Sequence, residues 1–342
     1  MKSFFNKLST TYIIAEIGVN HNGNMNLAKR MILAAKKCGA SAVKFQTFTA
    51  KNLVSENTPK VPYQKIYTKK RESHYEMIKK LEFAYKDHLE IINFCKREKI
   101  DFISTPYDAE SAKYLNILKV KIFKTASADI TDYFLHNYLS TIKQPVIIST
   151  GMSTHREIAD VLKIYSKKKK NNIALLHCVS NYPCKDLSIN LNCMQSLKKY
   201  NFTIGYSDHS SGFLASTLSI ALGGKIIEKH FTINKNISGP DQKASSDPGE
   251  FSSLVKNIRR AEIILGKNFK ALQNEEKNMH KISRKSFFSN KFIKKGSVLK
   301  LTDLKMLRPG TGLNFNKIKK IIGKRLKKNI NKNTMIKLIY LR

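Results

Sequence analysis

Acidic side chains are scarce in this chain of 342 residues: 25 Asp and Glu stand against 62 Lys and Arg, a formal net charge of +37. Such an excess invites a nucleic-acid reading. Arginine is scarce as well, supplying 10 of the 62 basic residues and leaving 52 lysines. Specific nucleic-acid readers favour arginine, whose planar fork binds guanine and phosphate bidentately. The lysines are spread along the chain, with short clusters at Lys167 to Lys170, Lys317 to Lys320 and Lys324 to Lys328. They read as the solvated surface of a Lys-rich composition, with no specific nucleic-acid partner.

Other absences narrow the class further. No run approaches about 18 uninterrupted apolar residues; the best stretch, Gly212 to Ile227, is broken by Ser216, Thr217, Ser219 and Lys225. No membrane span is expected. Met1 to Thr10 carries Lys2 and Lys7 but no apolar core or small-residue cleavage site, so it does not read as a secretory signal. The cysteines, Cys38, Cys95, Cys178, Cys184 and Cys193, are odd in number and form no C-x-x-C pair. Reduced thiols in a cytoplasmic protein are expected. Neither G-x-x-x-x-G-K-[ST] nor G-x-G-x-x-G occurs, so no nucleotide is implied. A hydrophobic content of 42% with 9% aromatics excludes a disordered chain despite the charge.

What is present is a series of short β-branched and apolar runs separated by amphipathic stretches of helical period. They are Tyr12 to Ile17, Ala42 to Gln46, Asp101 to Thr105, Ile122 to Lys124, Pro145 to Ser149, Ile173 to His177, Thr203 to Ser207 and Ile226 to His230. Eight strands alternating with helices is the count of an α/β fold of (β/α)₈ TIM-barrel type. Thr47 to Ile100 is a long insertion with helical patterns around Tyr75 to Leu81 and His88 to Cys95. The barrel domain is expected over residues 1–265, ending in a charged helix Phe251 to Leu265. A polar linker follows over 266–281, then a small domain over 282–342 with short strands around Ser286 to Phe288 and Met335 to Tyr340.

Each run ends in polar side chains: Glu16, Lys44 with Gln46, Thr105, Lys124 with Ser127, Ser149, His177 with Ser180, Ser207 with His209, and His230. Any one of these residues is accounted for as a helix cap. Eight in series describe a site, because a parallel barrel carries its active site where its strands end. His209 and His230 close the seventh and eighth strands, and neighbouring strands lie about 4.8 Å apart, so both imidazoles can meet one divalent ion. Water or substrate oxygens would fill the remaining positions. Lys44 and Lys124, ringed by the hydroxyls of Ser127, Ser149, Ser180 and Ser207, suit an anion with several acceptor oxygens. A Schiff-base lysine is the competing use of either. The acids in reach are Glu16, Asp129, Asp208 and Asp241, with Asp208 placed to orient its neighbour His209.

The motifs Ala15-Glu16-Ile17-Gly18-Val19-Asn20-His21-Asn22-Gly23, Val43-Lys44-Phe45-Gln46-Thr47, Ile103-Ser104-Thr105-Pro106, Ser149-Thr150-Gly151-Met152 and Leu176-His177-Cys178 run along the first half of the barrel. Gly205-Tyr206-Ser207-Asp208-His209, Glu228-Lys229-His230-Phe231-Thr232 and Gly239-Pro240-Asp241 follow. Together they resemble the sialic acid (nonulosonic acid) synthases of the N-acetylneuraminate and legionaminate type. Lys285-Ser286, Ile293-Lys294-Lys295-Gly296 and Arg308-Pro309-Gly310-Thr311-Gly312 resemble the antifreeze-like (SAF) domain of that family, a small mostly-β domain.

The resemblance implies condensation of phosphoenolpyruvate with N-acetylmannosamine or a diacetamido-trideoxy hexose, assisted by Mn²⁺, with Mg²⁺ or Co²⁺ as alternatives. It implies that His209 and His230 hold the metal and that Lys44, Thr105, Lys124, Ser127, Ser149, Ser180 and Ser207 cradle phosphoenolpyruvate. Gln46, Asp129, Tyr182 and Asp241 would face the sugar, and Arg308 would enter the neighbouring subunit's site in a domain-swapped homodimer. Glu16, or else Asp241, would act on the water. Two departures bear on the acceptor: Asp129 stands where relatives carry Glu, one methylene longer, and Ser180 stands where some carry Asn. Two other classes compete with this reading: a polynucleotide- or polysaccharide-binding protein on an inactive barrel, and a lysine-dependent aldolase.

Overall fold

The structure, a computed structural model, describes residues 4–61, 64, 71–168 and 172–342. Met1 to Ser3, and Lys169 and Lys170 of the first lysine cluster, lie outside the described residues. The chain divides into two compact units, Met1–Gly266 and Lys267–Arg342.

The first unit is the expected barrel. Strands β1 (Tyr12–Gly18), β2 (Ala42–Thr47), β3 (Asp101–Pro106), β4 (Ile122–Thr125), β5 (Val146–Ser149), β6 (Ile173–Cys178), β7 (Thr203–Asp208) and β8 (Ile226–His230) pair in parallel in chain order, and β8 closes on β1. Strand alternation splits their side chains into two sets. Ile13, Ala15, Ile17, Val43, Phe45, Phe123, Ile148, Leu175 and Tyr206 face outward into the layer shared with the helices. Ile14, Ala42, Ile103, Ile122, Ile147, Ala174, Leu176 and Ile226 fill the interior, where Phe5 and Tyr12 join them. Both sets are apolar, which is why the strands read as nearly continuous hydrophobic runs.

The helices follow from caps and spacing. His155–Lys167 starts at a capping box between Thr154 and Glu157 and buries Ile158, Val161, Leu162 and Tyr165 at helical spacing. The helix expected over Phe251 to Leu265 begins earlier, at Pro248, because Asp247 and Glu250 form a capping box and proline suits the first turn. The insertion between β2 and β3 holds helices Ala50–Leu53, His74–Leu81 and Tyr85–Glu98. A small core forms where Phe48, Met77 and Leu81 of this segment meet Val19 of the loop after β1. No helix among the described residues is long and apolar enough to cross a membrane.

In the second unit β9 (Ser286–Ser289) pairs antiparallel with β10 (Leu304–Leu307) around a core of Phe287, Ile293, Leu299, Ile321, Leu326, Ile330, Ile336 and Leu341. The polar stretch before it contains a helix, Lys277–Ser283. No strand forms over Met335 to Tyr340. Met335 makes a single bridge to Phe288, Ile336 alone enters the core, and Leu338–Tyr340 turns as a 3₁₀ helix. With Lys337, Leu338 and Ile339 exposed, nothing buries the second face of a ladder there.

Two tests follow from this packing. A Cβ at Gly205 would stand 2.3 Å from the Ile226 carbonyl oxygen and 2.6 Å from Leu176 Cδ2. Gly205→Ala is therefore expected to destabilise the barrel by about 1–3 kcal/mol in urea unfolding. Burial pushes His136 down to about 4, with its ring nitrogens held by the Tyr165 hydroxyl (2.8 Å) and the Asp129 carbonyl (3.1 Å). Its ordinary value is about 6.5, so the unfolded chain takes up this proton first and the stability it confers is lost as pH falls from 6.5 towards 4. The gap in unfolding free energy between the wild type and His136→Leu should narrow by roughly 1 kcal/mol per pH unit across that interval; a constant gap would contradict it.

Candidate active site at the mouth of the barrel

Alternation also decides which side chains reach the open end. Two residues beyond the interior positions Ile14, Ala42, Ile103, Ile122, Ile147, Leu176, Gly205 and Ile226 stand Glu16, Lys44, Thr105, Lys124, Ser149, Cys178, Ser207 and Glu228. Gln46 and His230 follow two further along β2 and β8. All ten line one cavity of about 480 Å³, together with Ser127, Ser180, Tyr182, His209 and Asp241 from the loops. Thirteen of the fifteen residues proposed from sequence are thus brought together. Glu228 and Cys178 are additions, and the period-two count that selects His230 and Leu176 selects them as well.

The centre of the site is a buried ion network. Lys44 Nζ lies 2.9 Å from Glu16 Oε2 and donates to Thr105 Oγ1 at 3.0 Å. Lys124 Nζ donates to Ser149 Oγ at 2.5 Å and to the Thr125 carbonyl at 3.0 Å. Glu228 Oε1 stands between them, 3.7 Å from Lys44 Nζ and 3.6 Å from Lys124 Nζ. Burial works to raise the Glu228 carboxyl, but Lys124 and Lys44 together outweigh it and hold the group below its usual range. Burial raises Glu16 instead, Lys44 opposing and Glu228 assisting. Burial lowers Lys124, while at Lys44 the two carboxylates overcome burial and raise it.

A hydroxyl-lined corner adjoins Lys124. Ser127 Oγ accepts from the Gly151 N–H at 3.0 Å and lies 3.0 Å from Cys178 Sγ. A Cβ on Gly151 would come within 2.6 Å of both Cys178 Sγ and Ser180 Oγ, so only glycine leaves this corner open. The loop that carries Asp241 is fastened to the one after β1: Asn20 Nδ2 donates to the Phe231 carbonyl at 2.9 Å and to Ser245 Oγ at 2.8 Å, and Ser245 Oγ donates to the Asp241 carbonyl at 2.8 Å. Burial raises the Asp241 carboxyl to about 6.

The two histidines meet as their strand ends suggested, with ring centroids 5.6 Å apart and Tyr182 packed against both. His209 Nδ1 is bonded to the Val179 carbonyl at 2.7 Å, which puts the proton on that nitrogen and leaves the Nε2 lone pair facing the Ser207 hydroxyl at 3.5 Å. His230 Nδ1 is buried with no hydrogen-bond partner, 4.0 Å from Asp241 Oδ2. Burial lowers both imidazoles, keeping them neutral as metal binding requires. Two neutral imidazoles, one with an unpartnered nitrogen and one whose Nε2 is engaged only by a long contact to a hydroxyl, fit a divalent transition ion. No cluster of three or more His, Cys, Asp or Glu among the described residues is placed to hold one, so this pair would leave coordination positions open.

Some residues lie elsewhere. Asp129 is not in the cavity wall: its Oδ2 is buried without a partner, and burial followed by Asp132 raises the carboxyl to about 7. Arg308 belongs to the second unit, where its Nε donates to the Ser283 carbonyl at 3.0 Å. His177 points outward on β6, bonded to the Ile189 carbonyl at 2.6 Å and stacked on Tyr206. Asp208 does not orient His209. It pairs with Lys229 at 3.0 Å and accepts from the Ser210 and Ser216 hydroxyls, fixing the turn after β7.

Residues 31–270 match the NeuB family and residues 284–338 match the SAF domain. The chain belongs to the NeuB family. It is 42% identical to an N,N'-diacetyllegionaminic acid synthase of Campylobacter jejuni, over 96% of this chain and all of that protein. A protein of the same name from Legionella pneumophila is 40% identical over 96% of this chain and 93% of its own length. Among crystal structures, the N-acetylneuraminic acid (sialic acid) synthetase of Leptospira borgpetersenii, in complex with citrate, superposes with a TM-score of 0.72 at 36% identity, covering 79% of this chain and 90% of that one. The NeuB resemblance drawn from the motifs is borne out, as is the barrel followed by a SAF domain.

Removing the shared carboxylate leaves the buried Lys124 ammonium without its carboxylate and Lys44 with Glu16 alone. Glu228→Leu is expected to lower the unfolding free energy by about 3–5 kcal/mol. Inorganic phosphate should recover part of the loss by taking the carboxylate's place. Urea titration with and without phosphate reads both effects.

Proposed function

We propose that this NeuB family member condenses phosphoenolpyruvate with an N-acetylated amino sugar and water, releasing phosphate and a nonulosonic (sialic-type) acid. The observation that carries the reading is the pair of buried lysines at the mouth, charge-balanced by Glu16 and Glu228, in a barrel whose relatives bear the names of nonulosonate synthases. Lys44 and Lys124 neutralise the carboxylate and phosphate of phosphoenolpyruvate. The hydroxyls of Thr105, Ser127, Ser149, Ser180 and Ser207 donate to its oxygens. Gln46, Tyr182 and Asp241 face the sugar.

The methylene carbon of phosphoenolpyruvate forms a bond to the aldehyde carbon of the open-chain sugar. Water adds to the cationic carbon left behind, and the C–O bond to phosphate then breaks to leave the 2-keto-3-deoxy acid. Glu16 holds this water and takes its proton, its burial-raised carboxyl being matched to a proton transfer near neutral pH. Asp241, buried at the other side of His230, is the alternative for that proton. His209 and His230 would hold a divalent ion, Mn²⁺ in our reading, which supplies Lewis-acid polarisation of the aldehyde oxygen when bound. We also assign the protein to the cytoplasm and to a domain-swapped homodimer in which Arg308 serves the partner's site.

A lysine-dependent aldolase is the second reading, favoured only by the lowered Lys124. The two are separated by one set of assays. Phosphate release is expected only when phosphoenolpyruvate, sugar and divalent ion are all present, with a product mass equal to the keto acid. Borohydride is expected to trap no adduct. Steady release without sugar, full activity in chelator, or a trapped lysine would overturn the proposal.

A further inference from the structure

The excess of positive charge is not shared evenly between the two units. Residues 267–342 hold 22 Lys and Arg against 3 Asp and Glu, whereas residues 1–266 hold 40 against 22. No Asp or Glu follows Asp303, while 12 Lys and Arg do. Asp303 is itself taken. Lys291 Nζ lies 2.9 Å from its Oδ1, the only ion pair of this unit among the described residues, and its Oδ2 accepts from the Lys300 N–H at 2.9 Å.

Backbone pairing gathers the cations on three neighbouring segments, residues 293–299, 324–330 and 337–342. Ile293 and Ile330 exchange N–H···O bonds at 2.8 and 2.9 Å, and the Gly296 N–H donates to the Leu326 carbonyl at 2.8 Å. The Lys295 N–H donates to Asn329 Oδ1 at 2.7 Å. The turn Lys294-Lys295 therefore lies against the segment that carries Lys327 and Lys328. Arg325 and Arg342 also exchange backbone bonds, at 3.3 and 3.0 Å, so two like charges stand opposite each other. All six cations are exposed, and no Asp or Glu stands on any of the three segments. Like charges facing each other across paired strands cost stability, a cost that a polyanion removes.

The same segments carry apolar side chains that project into solvent. Leu338 and Ile339, on the 3₁₀ turn between Lys337 and Arg342, are 48% and 72% exposed. Phe292, next to Ile293, is 56% exposed. Lys328 Nζ stands 4.0 Å over the Tyr340 ring. Nucleic acid is held best by arginine forks and stacked aromatic rings; here four of the six cations are lysines and the projecting tip is aliphatic. Ammonium point charges beside an aliphatic tip match the headgroups and acyl boundary of an anionic bilayer.

We propose that this face of the second unit docks the protein reversibly on an anionic membrane surface. The lysines meet the lipid phosphates while Leu338 and Ile339 enter the headgroup layer. The face shares no residue with the barrel mouth and does not depend on the condensation.

The test is co-sedimentation of the full chain with vesicles of phosphatidylcholine, alone or with about 30% phosphatidylglycerol. Binding to the anionic vesicles is expected to be at least about tenfold tighter than to the neutral ones and to be lost by about 0.5 M sodium chloride. Changing Lys294, Lys295, Lys327 and Lys328 together to Gln should weaken it at least about tenfold. The same change at Lys86, Lys96, Lys113 and Lys256, exposed on the helices of the first unit, should leave it within about twofold. Ile339→Ser should weaken binding at every salt concentration. Equal losses in the two fourfold variants would reduce the effect to net charge and overturn the inference. So would binding that ignores lipid charge, unchanged binding in Ile339→Ser, or tighter binding of a single-stranded oligonucleotide than of the anionic vesicles at the same salt. The lipid and salt series on the wild type decides the matter even where a fourfold variant fails to fold.

Discussion

Two ammonium groups held inside a closed barrel are the constraint to which the rest of the site answers. A buried charge costs several kcal/mol unless it is paired and hydrogen-bonded. Lys44 and Lys124 can occupy the mouth only because Glu16 and Glu228 are brought to them, and because Thr105, Ser149 and the Thr125 carbonyl accept their remaining protons. The formal +37 of the chain is therefore not concentrated at this mouth. An anion entering between the lysines would compete with Glu228 for them, and the carboxylate balances their charge when no anion is bound.

Closure of the sheet makes this pairing available. β1 and β8 come from opposite ends of the barrel sequence, yet Glu16 is in register with His230 on one side and with Lys44 on the other. The charge network, the histidine pair and the Asp241 loop all meet at that seam, where Asn20 fastens the loops after β1 and β8 to each other. The insertion contributes a small hydrophobic core shared with Val19, and its described residues that line the cavity include no Asp, Glu, Lys or Arg.

Much of the site was legible because barrel strands are short, apolar on both faces and end in polar residues. Counting the last polar residue of each run found Glu16, Lys124, Ser149 and His230, but it also collected His177, which points outward, and passed over Cys178 and Glu228, which point in. Counting every second residue from the interior set separates these cases. Asp129 was carried over from a motif and lies outside the cavity wall. In the small domain, Met335 to Tyr340 has strand composition but makes only one bridge, because only Ile336 has a core to enter.

The sequence by itself determined the repeating strand and helix pattern, the residue types available at each strand end, and membership of the NeuB family through ordered motifs. These are encoded within a few residues of one another, where alternation, capping and turn chemistry act. Only the tertiary structure decided that one carboxylate neutralises two lysines, that one imidazole nitrogen is spoken for by Val179 while another is left free, and that an insertion lines the mouth with apolar surface. Each of these depends on side chains far apart in the chain meeting at a few ångströms, where burial magnifies every unpaired charge and every empty hydrogen-bond position.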